Sequence, residues 1–313
     1  MQNLDGKLIT LLGGSGFLGR YTAQALLARG ARLRVAGRTA TSGRLVKSLG
    51  NPGQVQLIAA DVGNPASLAR ALDSADMAVN LVGSFDNVNA IQHIGAGNVA
   101  SAAAAAGCSA LVHMSAIGGD TSSPAEYGRS KAAGEIAVRA AFPGAVILRP
   151  SIVFGREDQF INRFAGLIRM LPVVPIIGAR TRFQPVFVGD VAAAVVAALS
   201  DETLAGRTLD LGGPEVLTMR ALNEWIARAI GHDPMFIDVP GFAAHGMAAA
   251  TGWLPAAPIT LDQFRMLGRD NVVDAERDGL DIMEIAKTPL DAVAEGWLDI
   301  YKKHGRFAGG AKA

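Results

Sequence analysis

The sequence predicts an α/β fold: a doubly wound parallel sheet with a smaller, mostly helical region on its substrate side. Three observations carry that expectation. An apolar run, Lys7 to Leu12, reads as a buried strand and leads through a glycine-rich turn into a helical pattern, Tyr21 to Arg29, stopped by Gly30. Strand-like and helical runs then alternate as far as Leu211. The chain also carries 37 glycines among 313 residues, half of them apolar, which suits a large core joined by many short loops.

The turn reads Gly13-Gly14-Ser15-Gly16-Phe17-Leu18-Gly19. Gly13 lets the chain leave the strand sharply, Gly16 lets backbone approach a pyrophosphate, and Gly19 lets the helix sit close to the sheet. The free N–H groups of the first helical turn then face the phosphates. By itself such a pattern marks only a tight turn. Between a strand and a helix, with βα units following, it is the dinucleotide site of a Rossmann domain. Gly13, Ser15, Gly16, Phe17 and Leu18 are therefore assigned to the cofactor.

Arg32 to Gly37 is the second strand, ending at Arg38. An NAD-selective site usually places an acid here for the ribose hydroxyls. This chain has no acidic residue between Asp5 and Asp61, and Arg20, Arg29, Arg32, Arg34, Arg38, Arg44 and Lys47 all fall in that window. Most of these form a solvated basic face. Arg38 stands at the ribose position, where a guanidinium pairs with a 2′-phosphate, with Arg20 or Arg44 as a second contact. NADP(H) is thus expected over NAD(H).

Val55 to Ala59 makes the third strand, followed by Asp61-Val62. Asp61 either accepts from the adenine amino group or caps the next helix, Pro65 to Leu72. Met77 to Val82 is the fourth strand; Gly83 after it gives the cofactor backbone room, and Leu81 is assigned to the cofactor with it. Ala90 to Gly107 is a helix whose alanine run, Ala102 to Ala106, indicates close packing. Ala110 to Met114 is the fifth strand, followed by Ser115-Ala116.

Tyr127 and Lys131 open a helix that runs through Ala140 and share one of its faces at i, i+4. A lysine ammonium beside a phenol favours phenolate, lowering the tyrosine pKa toward the proton-transfer range. Tyr127, Lys131 and Ser115 are the catalytic candidates, and Tyr127 and Lys131 also face the nicotinamide ribose. Ala145 to Arg149 is the sixth strand; Pro150 and Ile152 after it complete the cofactor set. Arg156-Glu157-Asp158-Gln159-Phe160 opens a short helix, with Phe160, Phe164, Leu167 and Ile168 apolar, that begins the substrate side. Asp190 is expected to cap a helix from Val191 to Leu199, and Thr208 to Leu211 is a last strand. Residues 1–152 and 184–212 form the dinucleotide domain, and 153–183 with 213–313 the smaller region, mostly helical from Glu215.

Composition excludes several classes. A net charge of +1 gives no support to nucleic-acid binding. One cysteine, Cys108, leaves no disulfide framework and reads as a buried structural thiol. Five histidines form no ligand-spaced cluster, so no metal is expected. No signal peptide or membrane span is expected, which points to the cytoplasm. The uncharged stretch 241–254, with Phe242 and Trp253, is too short to span a bilayer. It either packs on its own domain or lies against a partner or the inner face of the membrane.

Together, Gly13-x-x-Gly16-x-x-Gly19, Asp61-Val62, Asn80-Leu81-Val82-Gly83, Tyr127-x-x-x-Lys131 and Arg149-Pro150-Ser151 resemble the extended and atypical short-chain dehydrogenase/reductase superfamily. Phe154-Gly155-Arg156-Glu157-Asp158-Gln159-Phe160-Ile161-Asn162, with Gln184-Pro185-Val186-Phe187-Val188, is similar to the nucleotide-binding accessory subunit of respiratory complex I and its bacterial relatives. That resemblance implies a tightly bound NADPH near the quinone site, and relatives linked to ubiquinone biosynthesis. Active superfamily members carry Ser or Thr where this chain has Ala116, leaving Ser115, Ser122 or Ser123 as substitutes. Three functions follow as expectations: a complex I or quinone-pathway partner protein with a structural cofactor, a working NADP-dependent oxidoreductase or epimerase-type enzyme, and an NADPH redox sensor.

Overall fold

The structure is a computed structural model and describes residues 2–252, 259–303 and 305. The chain divides into two compact units. The first comprises Met1–Pro150, Val188–Leu211 and Asp274–Ala286, and the second Ser151–Phe187, Gly212–Val273 and Lys287–Ala313.

The first unit is a seven-stranded parallel sheet with helices packed on it. Its strands are β1 (Leu8–Leu12), β2 (Arg32–Gly37), β3 (Val55–Ala59), β4 (Met77–Asn80), β5 (Ala110–Met114), β6 (Val146–Pro150) and β7 (Thr208–Leu211). They lie in the order β3-β2-β1-β4-β5-β6-β7. The order reverses between β1 and β4, and such a reversal opens the crevice in which doubly wound folds bind ligands. β1 and β4 are apolar and buried almost throughout, as strands covered on both faces must be.

The helices are α1 (Phe17–Leu27), α2 (Pro65–Leu72), α3 (Gly95–Ala105), α4 (Glu126–Ala141) and α5 (Val188–Ser200). Ala96, Ala100 and Ala103 of α3 are fully or almost fully buried and pack with Leu72, Leu111 and Val138. Of the run Ala102 to Ala106 only Ala103 is buried, while Ala104 and Ala105 are exposed, so close packing accounts for one face of the helix and not for the whole run.

Several boundaries differ from the expectations, each for a local reason. β4 ends at Asn80 rather than Val82, because the Asn80 side chain accepts from the Val82 N–H at 3.1 Å and turns the chain out of the ladder. The helix expected from Ala90 opens as a π-helical turn, Asn89–Ile94. There α4 comes so close that a Cβ on Gly134 would overlap the Gln92 carbonyl. Asp190 is not a cap: α5 already begins at Val188, which leaves Asp190 buried in its first turn. Nor does Asp61 cap α2. Asn64 does, accepting from the Ser67 N–H, while Asp61 accepts from the Gly63 N–H at 2.8 Å.

The second unit has a core built from Phe154, Ile161, Ile168, Leu222, Ile226 and Trp297. The helices Phe160–Met170 and Met219–Ala229 supply four of these residues. The unit is less helical than the sequence from Glu215 onward suggests. Val173–Ile177 pairs in parallel with Met235–Val239, a ribbon whose partners lie far apart in the chain.

Candidate functional site

The glycine turn sits at the end of β1, where Leu12 is level with Ala36 of β2 and Asn80 of β4. Gly13 has φ +77°, and a Cβ there would come 3.1 Å from the Leu81 backbone. A Cβ on Gly19 would stand 2.5 Å from the Gly13 carbonyl oxygen, so only glycine lets α1 seat on the turn. Gly16 is the N-cap of α1 and offers no side-chain acceptor, and the first turn carries no acid. The N–H groups at that end therefore meet no side-chain cap from Gly16, which suits an anion. Ser15 and Phe17 stand beside Gly16, and Leu18 lies in the same turn.

At the end of β2, Arg38 and Arg44 are exposed and Arg20 is half-buried. Ser15 Oγ and Ser42 Oγ flank Gly37, 3.7 and 3.1 Å from where a Cβ would stand. Arg34 is structural: it donates to Gln56 Oε1, to the Ala71 carbonyl at 3.0 Å and to the Asp73 carbonyl. Val62 is buried, while Asp61 is exposed at the end of β3.

The end of β4 is clamped by a buried pair. Asn80 Nδ2 lies 3.2 Å from His113 Nδ1, while Asn80 Oδ1 holds the Val82 N–H, so the strand exit that carries Leu81 and Gly83 is fixed. Burial pushes the His113 imidazole down to about 3, keeping it neutral.

Tyr127 and Lys131 lie in α4, with Lys131 Nζ 5.8 Å from the centre of the Tyr127 ring. Lys131 is buried, donates to the Met114 carbonyl at 3.2 Å, and points to where a Gly83 Cβ would be, at 3.8 Å. The expected lowering of the tyrosine pKa is not what the structure shows. Burial pushes the Tyr127 phenol up to about 12 and the Lys131 ammonium down to about 8. Loss of hydration opposes both charged forms and outweighs their proximity.

Ser115 is buried at the end of β5, and its hydroxyl donates to Glu135 Oε1. Glu135 is in turn gripped by Arg149 through Nε at 2.8 Å and through Nη2. Ser122 places its hydroxyl on the Asp120 carboxylate, at 2.8 and 2.9 Å, and Ser123 accepts from the Ala125 N–H at 3.3 Å. Pro150 closes β6 in the first unit; Ile152 belongs to the second unit, where it packs on Ile176, Phe183 and Met219. Cys108 donates to the Ala75 carbonyl at 3.4 Å, and burial raises its thiol to about 11, so it is inert.

Residues 9–212 match the model of the NAD dependent epimerase/dehydratase family. The chain belongs to that family. An *Arabidopsis thaliana* protein, NADH dehydrogenase (ubiquinone) 1 alpha subcomplex subunit 9, mitochondrial, is 33% identical over 97% of this chain and 80% of its own length. The *Mus musculus* protein of the same name is 28% identical over 97% of this chain and 82% of its own. Among solved structures, *Citrobacter* sp. triphenylmethane reductase complexed with NADP(H) superposes with a TM-score of 0.75. It is 18% identical and covers 92% of this chain and 99% of that one. This epimerase/dehydratase-family chain thus has complex I subunits among its relatives.

The residues similar to the complex I subunit lie in the second unit except Val188, which opens α5 in the first. Asp158 is buried and holds the Gly155 and Ile161 N–H groups. Gln184 donates to the Gly213 carbonyl at 2.8 Å and accepts from the Val273 N–H at 3.0 Å. Sequence reasoning missed Glu135, although it follows Lys131 by four residues and so shares its helical face. It missed Phe85 altogether. That ring stacks on Tyr127 with centroids 4.9 Å apart, from a loop with no periodicity to mark it.

Proposed function

We propose that the first unit binds NADP(H), and that the cofactor chiefly holds the fold of a protein working with respiratory complex I or quinone-pathway proteins. The observation that carries this reading is the Ser115 hydroxyl, spent on the buried Glu135–Arg149 pair beside an Ala116 that has none. Carbonyl reduction needs a proton donor and a second hydrogen bond to the developing oxyanion. Tyr127 can give a proton, but neither Ser115 nor Ala116 is placed to supply the second bond.

The turn fits a dinucleotide. Gly13, Ser15, Gly16, Phe17 and Leu18 would hold the pyrophosphate. Arg38, with Arg20 or Arg44, would take a 2′-phosphate, and Asp61 and Val62 the adenine. Leu81, Gly83 and Pro150 would line the nicotinamide end, with Lys131 on the ribose. When bound, the cofactor supplies a hydride. Tyr127 holds a proton at its phenol oxygen, and Lys131 positions the ring.

The relatives named as complex I subunits support the partner assignment. No helix among the described residues is long and apolar enough to cross a membrane. The helix Gly241–Thr251 carries no charge and leaves Phe242 83% exposed, which supports contact through 241–254 with a partner or the inner membrane face, from the cytoplasm. Trp253 and Leu254 lie outside the described residues.

A working NADP-dependent oxidoreductase or epimerase-type enzyme is the second reading, favoured by the placement of Tyr127 and Lys131 on one face of α4. Purification followed by nucleotide extraction, then NADPH oxidation with quinones and sugar nucleotides, separates the two. Stoichiometric NADP(H) with negligible turnover supports the first; robust turnover abolished by Tyr127→Phe supports the second.

A further inference from the structure

Lys131 lies one turn before Glu135 on α4, so the two side chains leave the same face of the helix. Both are buried, and both reach the end of β5. Lys131 Nζ donates to the Met114 carbonyl at 3.2 Å, and Glu135 Oε1 accepts from the hydroxyl of the next residue, Ser115. The two converge again at Gly119, where a Cβ would stand 3.2 Å from Glu135 Oε1 and 3.5 Å from Lys131 Cβ. Arg149 fixes the carboxylate in that place, taking one oxygen through Nε at 2.8 Å and the other through Nη2.

A buried ammonium keeps its proton only if fixed dipoles or an anion replace its water. The charged and titratable groups around Lys131 come from several elements. His113 stands on β5 and is neutral, Arg149 is on β6, and Asp120 on the loop after β5 acts on Arg149. Tyr127 and Arg139 lie on α4 itself, His93 in the π-helical turn, and Asp86 is exposed on the loop after β4. Burial pushes the Lys131 ammonium down to about 8, and the Glu135 carboxylate opposes that fall.

We propose that Glu135 is a positioning residue of the nucleotide site: locked by Arg149 and Ser115, its carboxylate holds the Lys131 ammonium where the cofactor ribose would meet it. The inference rests on the NADP(H) reading for what Lys131 meets, and not for what Glu135 does to Lys131.

Lysine labelled with ¹³C at Cε lets Lys131 be titrated by NMR in nucleotide-free protein, its signal assigned by its loss in Lys131→Arg. Glu135→Gln can still accept from Ser115 but carries no charge, and should move the Lys131 midpoint down by about one pH unit or more. Arg149→Gln leaves the carboxylate without its guanidinium and should move the midpoint up. Loosened packing alone does not produce shifts of opposite sign. NADP⁺ affinity is the second readout. In wild type it should fall as pH rises through the Lys131 value of about 8, and in Lys131→Arg it should stay level. In Glu135→Gln it should already be about fivefold weaker than wild type at pH 8. A Lys131 midpoint that Glu135→Gln leaves unchanged or raises overturns the proposal. If that variant does not fold, a midpoint unmoved or lowered in Arg149→Gln overturns it instead. So does a wild-type NADP⁺ affinity that stays level while Lys131 titrates. If NADP⁺ does not bind at all, the cofactor reading fails and the nucleotide-free titration still decides what Glu135 holds.

Discussion

Ser115 gives its hydroxyl to Glu135, and Arg149 holds the same carboxylate from β6. The pair ties the end of β5 to α4 beneath the Tyr127–Lys131 face. A hydrogen bond to a charged acceptor contributes about 1.5–3 kcal/mol, so Ser115→Ala should lower the melting temperature measurably. Glu135→Leu leaves the Arg149 guanidinium largely buried and unpaired, and should cost more, about 3–5 kcal/mol. Denaturant titration checks both, and equal losses in the two variants would contradict this account.

Ala116 stands next to that network without a hydroxyl. If the missing oxyanion partner limits turnover, Ala116→Ser should raise NADPH-dependent carbonyl reduction by about 10²-fold, since one such donor is worth 10²–10³ in rate. Steady-state assay of the variant beside wild type decides it. An unchanged rate would place the limit elsewhere.

NADP(H) should bind more tightly than NAD(H). Arg38 is exposed at the end of β2, and the chain from Gly6 to Ala60 carries no acid to receive ribose hydroxyls. A charge-assisted pair contributes about 1.5–3 kcal/mol, at least tenfold in affinity. Calorimetric titration with both cofactors should show that preference, and Arg38→Asp should weaken NADPH far more than NADH. Equal affinities in wild type would remove the argument.

The fold was legible because buried parallel strands are written as apolar runs, and because Gly13 and Gly19 are the only residue type their positions admit. The glycine turn and the Tyr127–Lys131 face were legible for the same reason: each is a local pattern on a periodic element. What the sequence hid depends on contacts distant in the chain. The pairing of Ser115 with Glu135 joins a strand end to the middle of a helix. The Val173–Ile177 ribbon needs Met235–Val239 to exist at all. The sign of the pKa shifts at Tyr127 and Lys131 follows from burial, which spacing does not reveal.

The stretch 241–254 should bring the protein to a partner or membrane surface through Phe242. Flotation with anionic liposomes should carry the wild-type protein upward and Phe242→Ser less so. If neither floats, and neither co-sediments with complex I, the surface has no such role.

His113 makes stability depend on pH between the titration of its unfolded and its folded imidazole. Its imidazole is buried on β5 and depressed to about 3, while in the unfolded chain it titrates at its ordinary value of 6.5. Between those values the unfolded state binds the proton and the folded state does not. The stability contributed by the neutral ring is therefore fully present above 6.5 and is lost as pH falls toward 3. The slope approaches about 1.4 kcal/mol per pH unit well below 6.5. Denaturant midpoints measured from pH 7 to pH 5 should fall along that curve. His113→Gln can still face Asn80 but takes up no proton, and should flatten it over the same interval. A wild-type midpoint that stays level would mean His113 is protonated in the folded protein, and the Asn80 clamp would then need a different hydrogen-bond direction.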